Sequence, residues 1–149
     1  MQSFHNQLQK YSRQCDELVL NKHLKSLLKK AKKSIKEIEV EELYILDNKL
    51  ILIDVREPEE FSSGYINAHT VLTIPRGKLE FMAIDRVAKQ YGQDSHIVTY
   101  CLKGSRGLLA AYQLKKLGFT NVRNLKGGIS SWIEKGNTIH NYLGELSLA

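Results

Sequence analysis

The chain has 149 residues, which is enough for one domain with a hydrophobic core and a short extension. Hydrophobic residues make up 42% of it, as in globular proteins, and no apolar run reaches the length of a transmembrane helix. The first residues lack the basic and apolar regions of a signal peptide, so we expect a cytoplasmic protein.

The net charge of +6 is concentrated near the amino terminus. Residues 1–40 contain nine Lys or Arg and four Asp or Glu, whereas residues 41–149 contain thirteen and twelve. The basic character therefore belongs to the start of the chain, and we do not expect the whole protein to bind nucleic acid.

The two cysteines, Cys15 and Cys101, lie in very different sequence contexts. A structural disulfide between them is not expected in a reducing compartment. No cluster of cysteines and histidines has the spacing of a metal site, so we expect neither a metal nor a cofactor.

The first predicted element is a basic amphipathic helix. Apolar residues recur at steps of three and four, at Leu20, Leu24, Leu27, Leu28, Ala31, Ile35 and Ile38. This helix either packs on the domain or a partner helix, or it binds an anionic surface such as a membrane, a nucleic acid or an acidic protein. Its lack of aromatic residues argues against a membrane. We divide the chain into a helical leader at residues 1–35 and a domain at residues 36–149.

Strands and helices alternate through the rest of the chain. The strands are predicted at residues 36–38, 49–55, 71–74, 96–100 and 121–125. The helices are predicted at residues 40–46, 57–61, 77–91, 107–117 and 129–134. This alternation predicts an α/β fold with a central parallel sheet and helices on both faces. In such folds, functional groups lie at the carboxyl ends of the strands.

The segment after the predicted strand at residues 96–100 carries the clearest functional signal. It reads Cys101-Leu102-Lys103-Gly104-Ser105-Arg106. A cysteine thus lies at a strand end, on a tight loop that leads into a helix. Backbone N–H groups, the helix dipole and the charges of Lys103 and Arg106 all favour a thiolate there. We therefore expect Cys101 to be a reactive nucleophile rather than an inert buried thiol.

Four stretches together resemble the rhodanese-like, or thiosulfate sulfurtransferase, domain family in its single-domain form. They lie within residues 35–136 and run over Ile53–Phe61, Ile74–Phe81, Cys101–Arg106 and Leu125–Trp132. The resemblance implies an α/β fold with a central parallel sheet and a Cys101 that carries sulfur as a persulfide. The implied partners are a small anionic sulfur donor such as thiosulfate and a thiophilic acceptor, which is a small molecule or a protein.

Several further residues are candidates for the site. Donor binding is expected from the loop backbone and two cations, in Leu102, Lys103, Gly104, Ser105 and Arg106. Gly104 is expected to supply an unusual backbone conformation, and Arg106 to pair also with a core carboxylate. Arg76 matches a family position at the pocket rim, although a solvent-exposed turn residue is an equal alternative.

Asp54 and Arg56 follow an apolar strand and are expected to support the site. A buried aspartate needs partners, so we expect Asp54 to orient the loop through Arg106. The stretch from Gly64 to Pro75 departs from the family pattern, because it has Tyr65 in place of a histidine and two extra residues. The strand register and the pocket rim there stay open.

Two alternatives to a sulfurtransferase enzyme remain. A cysteine phosphatase also places a cysteine loop before an arginine, but it uses five intervening residues, and Cys101 and Arg106 are separated by four. A non-catalytic persulfide carrier or docking module would share the loop chemistry and would differ only in what it does with the sulfur.

Overall fold

The structure, a computed structural model, describes Asn6, Gln9, residues 21–46 and residues 48–146. The predicted start of the leader helix at Leu20 and the first cysteine, Cys15, lie outside the described residues. Within the described part of the chain, no helix is long and apolar enough to cross a bilayer.

Five parallel strands form the central sheet, in the order β1-β5-β4-β2-β3. Their bounds are β1 Lys36–Ile38, β2 Ile51–Asp54, β3 Thr70–Thr73, β4 Ile97–Tyr100 and β5 Val122–Leu125. Every residue of β2 and β4 is buried, because both strands are central and covered on both faces. The predicted α/β fold class is confirmed.

Helices connect the strands, as parallel pairing requires. The bounds of the first five are α1 Lys22–Ser34, α2 Val40–Tyr44, α3 Pro58–Ser63, α4 Leu79–Ala83 and α5 Lys89–Tyr91. A π-helical segment at Ile84–Ala88 joins α4 to α5, so the predicted helix at 77–91 is present but not uniformly α-helical. The last two are α6 Ser105–Lys116 and α7 Gly128–Glu134.

Alternate residues of the central strands point into two cores on opposite faces of the sheet. Leu52 and Val98 belong to one core, whereas Ile53, Ile97 and Cys101 belong to the other. Cys101 therefore lies on the face of the sheet that α4 and α6 cover. A short antiparallel ribbon, β6 Ile139–Asn141 and β7 Gly144–Leu146, follows the last helix and was not predicted.

The stretch that departs from the family pattern still forms a regular strand. β3 pairs with β2 in parallel, with Thr70 opposite Ile51. Tyr65, in the histidine position, exchanges backbone hydrogen bonds with His140 at 2.8 and 2.9 Å, and its ring stacks on Phe61. The pairing register between β2 and β3, which the sequence left open, is thus defined. Tyr65, which stands where the family has a histidine, packs on Phe61.

Helix α1 packs on α6. Ala31 and Ile35 form a buried cluster with Leu108 and Ala111, and the amide of Leu24 donates to the N-cap side chain of Asn21 at 3.0 Å. The interpretation that the apolar face packs on the domain is confirmed, and binding of an anionic surface by the lysine-bearing faces stays a prediction. The apolar stripe therefore fixes the helix on the domain and directs other faces outwards.

We predict that Ala31→Lys detaches α1 without unfolding the sheet. Ala31 is fully buried, so a longer charged side chain must displace the helix, at a cost of about 1–3 kcal/mol. Hydrogen exchange should show loss of protection over residues 22–34 and retained protection in β2 and β4. The exposed neighbour Lys30→Ala is the control, and unchanged protection of α1 in Ala31→Lys would contradict the packing described.

Candidate active site

Cys101 lies directly after the central strand β4, on a loop that ends at the first turn of α6. Its thiol is fully buried and accepts a hydrogen bond from the Gly104 amide, with 3.1 Å between N and Sγ. Gly104 is the N-cap of α6, so the positive end of the helix is directed towards the sulfur. The Gly104 amide and the N-terminus of α6 thus both favour negative charge on the sulfur.

Gly104 adopts the backbone conformation that the sequence analysis expected of it. Its φ of +115° lies in the left-handed region, and a Cβ there would come within 3.2 Å of the Gly127 nitrogen. Any side chain would be strained and would push the loop away from the neighbouring turn. This position therefore requires glycine for conformation and for close approach.

A second turn, Gly127-Gly128, supports the loop from outside. Beyond it, the Ile129 amide donates to the Cys101 carbonyl at 2.9 Å, and the Ser130 amide donates to the Leu102 carbonyl at 3.0 Å. Gly128 has a φ of +60°, and a Cβ there would overlap the Cys101 carbonyl oxygen. The start of α7 thus holds the carbonyls of Cys101 and Leu102, while the Gly104 amide of the same loop contacts the sulfur.

Arg106 forms a bidentate ion pair with Glu60. Its two terminal nitrogens lie 2.7 and 2.8 Å from the two carboxylate oxygens, and Glu60 is 2% exposed. Glu60 also accepts from the Glu57 amide at 3.0 Å as part of the cap of α3. The expected pairing of Arg106 with a core carboxylate is confirmed. In the sequence, the only role that could be predicted for Glu60 was in the cap of a helix, and its pairing with Arg106 could not be predicted.

Asp54 has a different partner from the one predicted. It is bound by Arg56, whose guanidinium lies 2.7 Å from a carboxylate oxygen and 2.7 Å from the Gly64 carbonyl oxygen. The expectation that Asp54 orients the loop through Arg106 is therefore wrong. Burial is the largest single influence and lowers the pKa of Arg56, but Asp54, Tyr100 and Glu60 together outweigh it and the pKa is raised. The pair joins the end of β2 to the end of α3.

Asn124 is a support of the loop that the sequence analysis missed. It is fully buried on β5, and its amide donates to the Gly104 carbonyl at 3.1 Å and to the Glu37 carboxylate at 3.0 Å. The Thr99 hydroxyl lies 3.2 Å from the Asn124 amide oxygen. A polar residue in a predicted strand was the available signal, but its partner lies twenty residues away.

The other predicted site residues are distributed around the loop. The Leu102 side chain is buried in the core, so this residue offers its backbone to the site. Lys103 and Ser105 line a groove of about 550 Å³ beside the loop. Arg76 begins a short helical turn after β3 and lies 3.3 Å from the Glu80 carboxylate, about one third exposed. Among the described residues, no group of three or more His, Cys, Asp and Glu could hold a metal ion.

Comparisons with known proteins agree with this geometry. The family model of the rhodanese-like domain matches residues 22–135. Over 97 residues the chain is 36% identical to a putative mitochondrial thiosulfate sulfurtransferase of Schizosaccharomyces pombe, an alignment that covers 60% of this chain and 67% of that one. Over 93 residues it is 37% identical to the human thiosulfate:glutathione sulfurtransferase, covering 56% and 79%.

One solved structure has a related fold and a different suggested activity. It is a protein of unknown function from Rhodopseudomonas palustris, described as a possible tyrosine phosphatase. Its TM-score to this chain is 0.69 at 29% identity, and the match covers 78% of this chain and 93% of the other.

We predict that Glu60→Gln destabilises the protein by about 1–3 kcal/mol, because it leaves Arg106 beside a neutral group in a partly buried site. The exposed Glu134→Gln, at the end of α7, is the control and should change stability by less than about 0.5 kcal/mol. Urea unfolding of both variants measures the difference. Equal free energies of unfolding for the two variants would show that the ion pair does not hold the loop.

Proposed function

Because the chain belongs to the rhodanese-like domain family, we propose that it is a sulfurtransferase that carries sulfane sulfur on Cys101 as a persulfide. The donor is an anion such as thiosulfate, and the acceptor is a thiophile, either a small molecule or a protein. The observation that carries the proposal is the contact of the Gly104 amide with the Cys101 sulfur at the N-terminus of α6.

In the first step, the Cys101 thiolate attacks the outer sulfur of thiosulfate. A bond forms between the cysteine sulfur and that outer sulfur, while the sulfur–sulfur bond of thiosulfate breaks. Sulfite leaves with the electron pair of the broken bond, so charge and atoms balance. In the second step, the acceptor attacks the outer sulfur of the persulfide, and the Cys101 thiolate is the leaving group.

The loop supplies the stabilisation that both steps need. Negative charge develops on sulfur at Cys101, where the Gly104 N–H at the N-terminus of α6 is already in place and need not reorganise. We assign donor binding to the loop backbone and to the charges of Lys103 and Arg106, with Arg76 at the rim. Arg56 and Asp54 act at a distance, by fixing the end of β2.

The burial of Cys101 supports transfer through a persulfide rather than direct contact between the acceptor and the cysteine sulfur. The cysteine is fully buried, so a bulky acceptor does not meet its sulfur directly. A persulfide extends the reactive sulfur by one bond of about 2.05 Å towards the mouth of the loop. The outer sulfur then becomes the atom that an acceptor reaches, while the inner sulfur stays within its donors.

A non-catalytic persulfide carrier remains the alternative, because it would use the same loop. Turnover separates the two functions. An enzyme transfers sulfur from thiosulfate to cyanide repeatedly, whereas a carrier forms the persulfide on Cys101 and hands it to one partner. A persulfide that forms readily without turnover would identify the carrier.

We predict that Cys101→Ser abolishes transfer of sulfur from thiosulfate to cyanide and leaves the fold intact, because a serine hydroxyl is not ionised at neutral pH and forms no persulfide. Cys15→Ser is the matched control and should retain the activity of the unchanged protein. Thiocyanate production measures the activity, and circular dichroism checks the fold. Retained activity in Cys101→Ser would overturn the assignment of the nucleophile.

The length of the loop generates a further prediction. Four residues separate Cys101 from Arg106. A loop of this length has room for one sulfur atom rather than for a phosphoryl group. We expect negligible hydrolysis of p-nitrophenyl phosphate by the unchanged protein. Inserting one glycine after Ser105 should reduce sulfur transfer about 100-fold, because the amides no longer converge on the sulfur.

A glycine inserted after Gly136, in an exposed turn with open space around it, is the control for the insertion. Loop entropy changes little in either variant, so a selective loss reflects geometry. Efficient phosphatase turnover by the unchanged protein would overturn the proposed function. Unchanged sulfur transfer in the Ser105 insertion would show that loop length does not select the substrate.

A further inference from the structure

A basic groove lies beside the active-site loop, between that loop and helix α1. Its volume is about 550 Å³. One wall is formed by Lys25, Lys29 and Lys32 of α1, and the other includes Lys103 of the loop and Lys126 before α7. The groove therefore joins the basic leader helix to the segment that holds the reactive sulfur.

The charge of the groove is strongly unbalanced. The residues that line it include five lysines and one carboxylate, Glu37, which accepts a hydrogen bond from Asn124 at 3.0 Å. Lys126 lies 3.4 Å from the exposed carboxylate of Glu39 at the edge. A groove with this excess of positive charge attracts a ligand that carries several negative charges.

The three lysines of α1 form one stripe, since steps of four and three residues place them on the same helix face. Lys22 continues this stripe one turn beyond the groove, and neither it nor Lys30 or Lys33 of the same helix lines the groove. Packing of Ala31 and Ile35 on α6 fixes the rotation of the helix. The orientation of the stripe towards the active-site loop is thus built into the fold.

The extent of the stripe indicates the size of its ligand. Lys32 lies seven positions after Lys25 along the helix, a distance of about 10 Å. Thiosulfate concentrates its charge in one small ion and would use one end of this stripe. An extended peptide places side chains of the same face about 6–7 Å apart, so acidic residues at alternate positions match it.

The groove lining favours a peptide over a nucleic acid. Leu28 and Leu108 supply apolar contact for aliphatic side-chain stems. None of the described residues that line the groove is aromatic, so none of them offers a ring on which bases could stack.

We propose that this groove docks an acidic, extended segment of the protein that accepts sulfur, and so brings the acceptor's thiol to the mouth of the Cys101 loop. This inference rests on the proposed sulfurtransferase function for the role of the partner. The docking contact itself depends only on the lysine stripe and on its fixed position beside the loop.

The test uses two triple variants of the full chain with the same change in charge. The first replaces Lys25, Lys29 and Lys32 by Gln, and the second replaces Lys22, Lys30 and Lys33 by Gln. All six lysines are exposed and lie on one helix, and Gln has nearly the helix propensity of Lys. A difference between the variants therefore reports the position of the charges and not their number.

The first probe is a fluorescent, cysteine-free peptide with Glu at four alternate positions, compared with the same peptide carrying Gln. Fluorescence anisotropy should show that the unchanged protein binds the acidic peptide and that added salt weakens binding. The groove variant should bind it about tenfold more weakly, and the control variant should keep most of the affinity. Equal losses in both variants would overturn the proposal, as would preferred binding of tripolyphosphate or a single-stranded oligonucleotide.

The second probe adds one cysteine to the acidic peptide and uses it as the sulfur acceptor. The KM for this peptide should rise about tenfold in the groove variant relative to the control variant. The two proposals fail separately. Absence of any sulfur transfer by the unchanged protein would contradict the proposed function while the binding result still stands. Normal transfer to cyanide with equal peptide KM in both variants would contradict the docking alone.

Discussion

The hydrogen bonds between the start of α7 and the carbonyls of Cys101 and Leu102 are the constraint on which the site depends. The amides of Ile129 and Ser130 bind these two carbonyls from outside the loop, and the Gly104 amide of the loop donates to the sulfur. In a trans peptide unit, the carbonyl and the N–H point in opposite directions. The N–H groups of Leu102 and Lys103, which share peptide units with the two bound carbonyls, therefore point away from α7. Gly128 permits the contact, since any side chain there would occupy the space of the Cys101 carbonyl oxygen.

The charged side chains around the loop form two groups, buried ion pairs close to it and exposed lysines farther out. Two buried carboxylates hold two arginines, with Glu60 bound to Arg106 and Asp54 bound to Arg56, so the fold does not leave a charge buried alone. These pairs connect α3, β2 and the loop into one unit. Farther out, the lysines of α1 and the loop remain at the surface, where positive charge can act on an approaching anion. The inner charges hold the loop in place, and we propose that the outer ones contact its ligands.

Local patterns in the sequence were sufficient to predict the five strands of the sheet and the position of the loop from Cys101 to Arg106, because apolar runs and a short loop involve neighbouring residues. Long-range partners were not predictable. Glu60 is 46 residues from Arg106 and Asn124 is 20 from Gly104, and each also had an adequate local explanation, as a cap or a strand residue. Asp54 was assigned to Arg106, although Arg56, two residues away, was the partner. Sequence proximity to a strand end identified the neighbourhood of the site but not its contacts.

The most direct test of the account compares Gly128→Ala with Gly136→Ala. Both glycines have positive φ values, +60° and +82°, so alanine imposes a backbone strain of about 1–2 kcal/mol at either site. A Cβ at Gly136 meets open space, whereas one at Gly128 displaces the loop. After thiosulfate treatment, mass spectrometry should find the persulfide of Cys101 in Gly136→Ala and almost none in folded Gly128→Ala. Equal persulfide in both variants would contradict the claim that the turn before α7 builds the sulfur site.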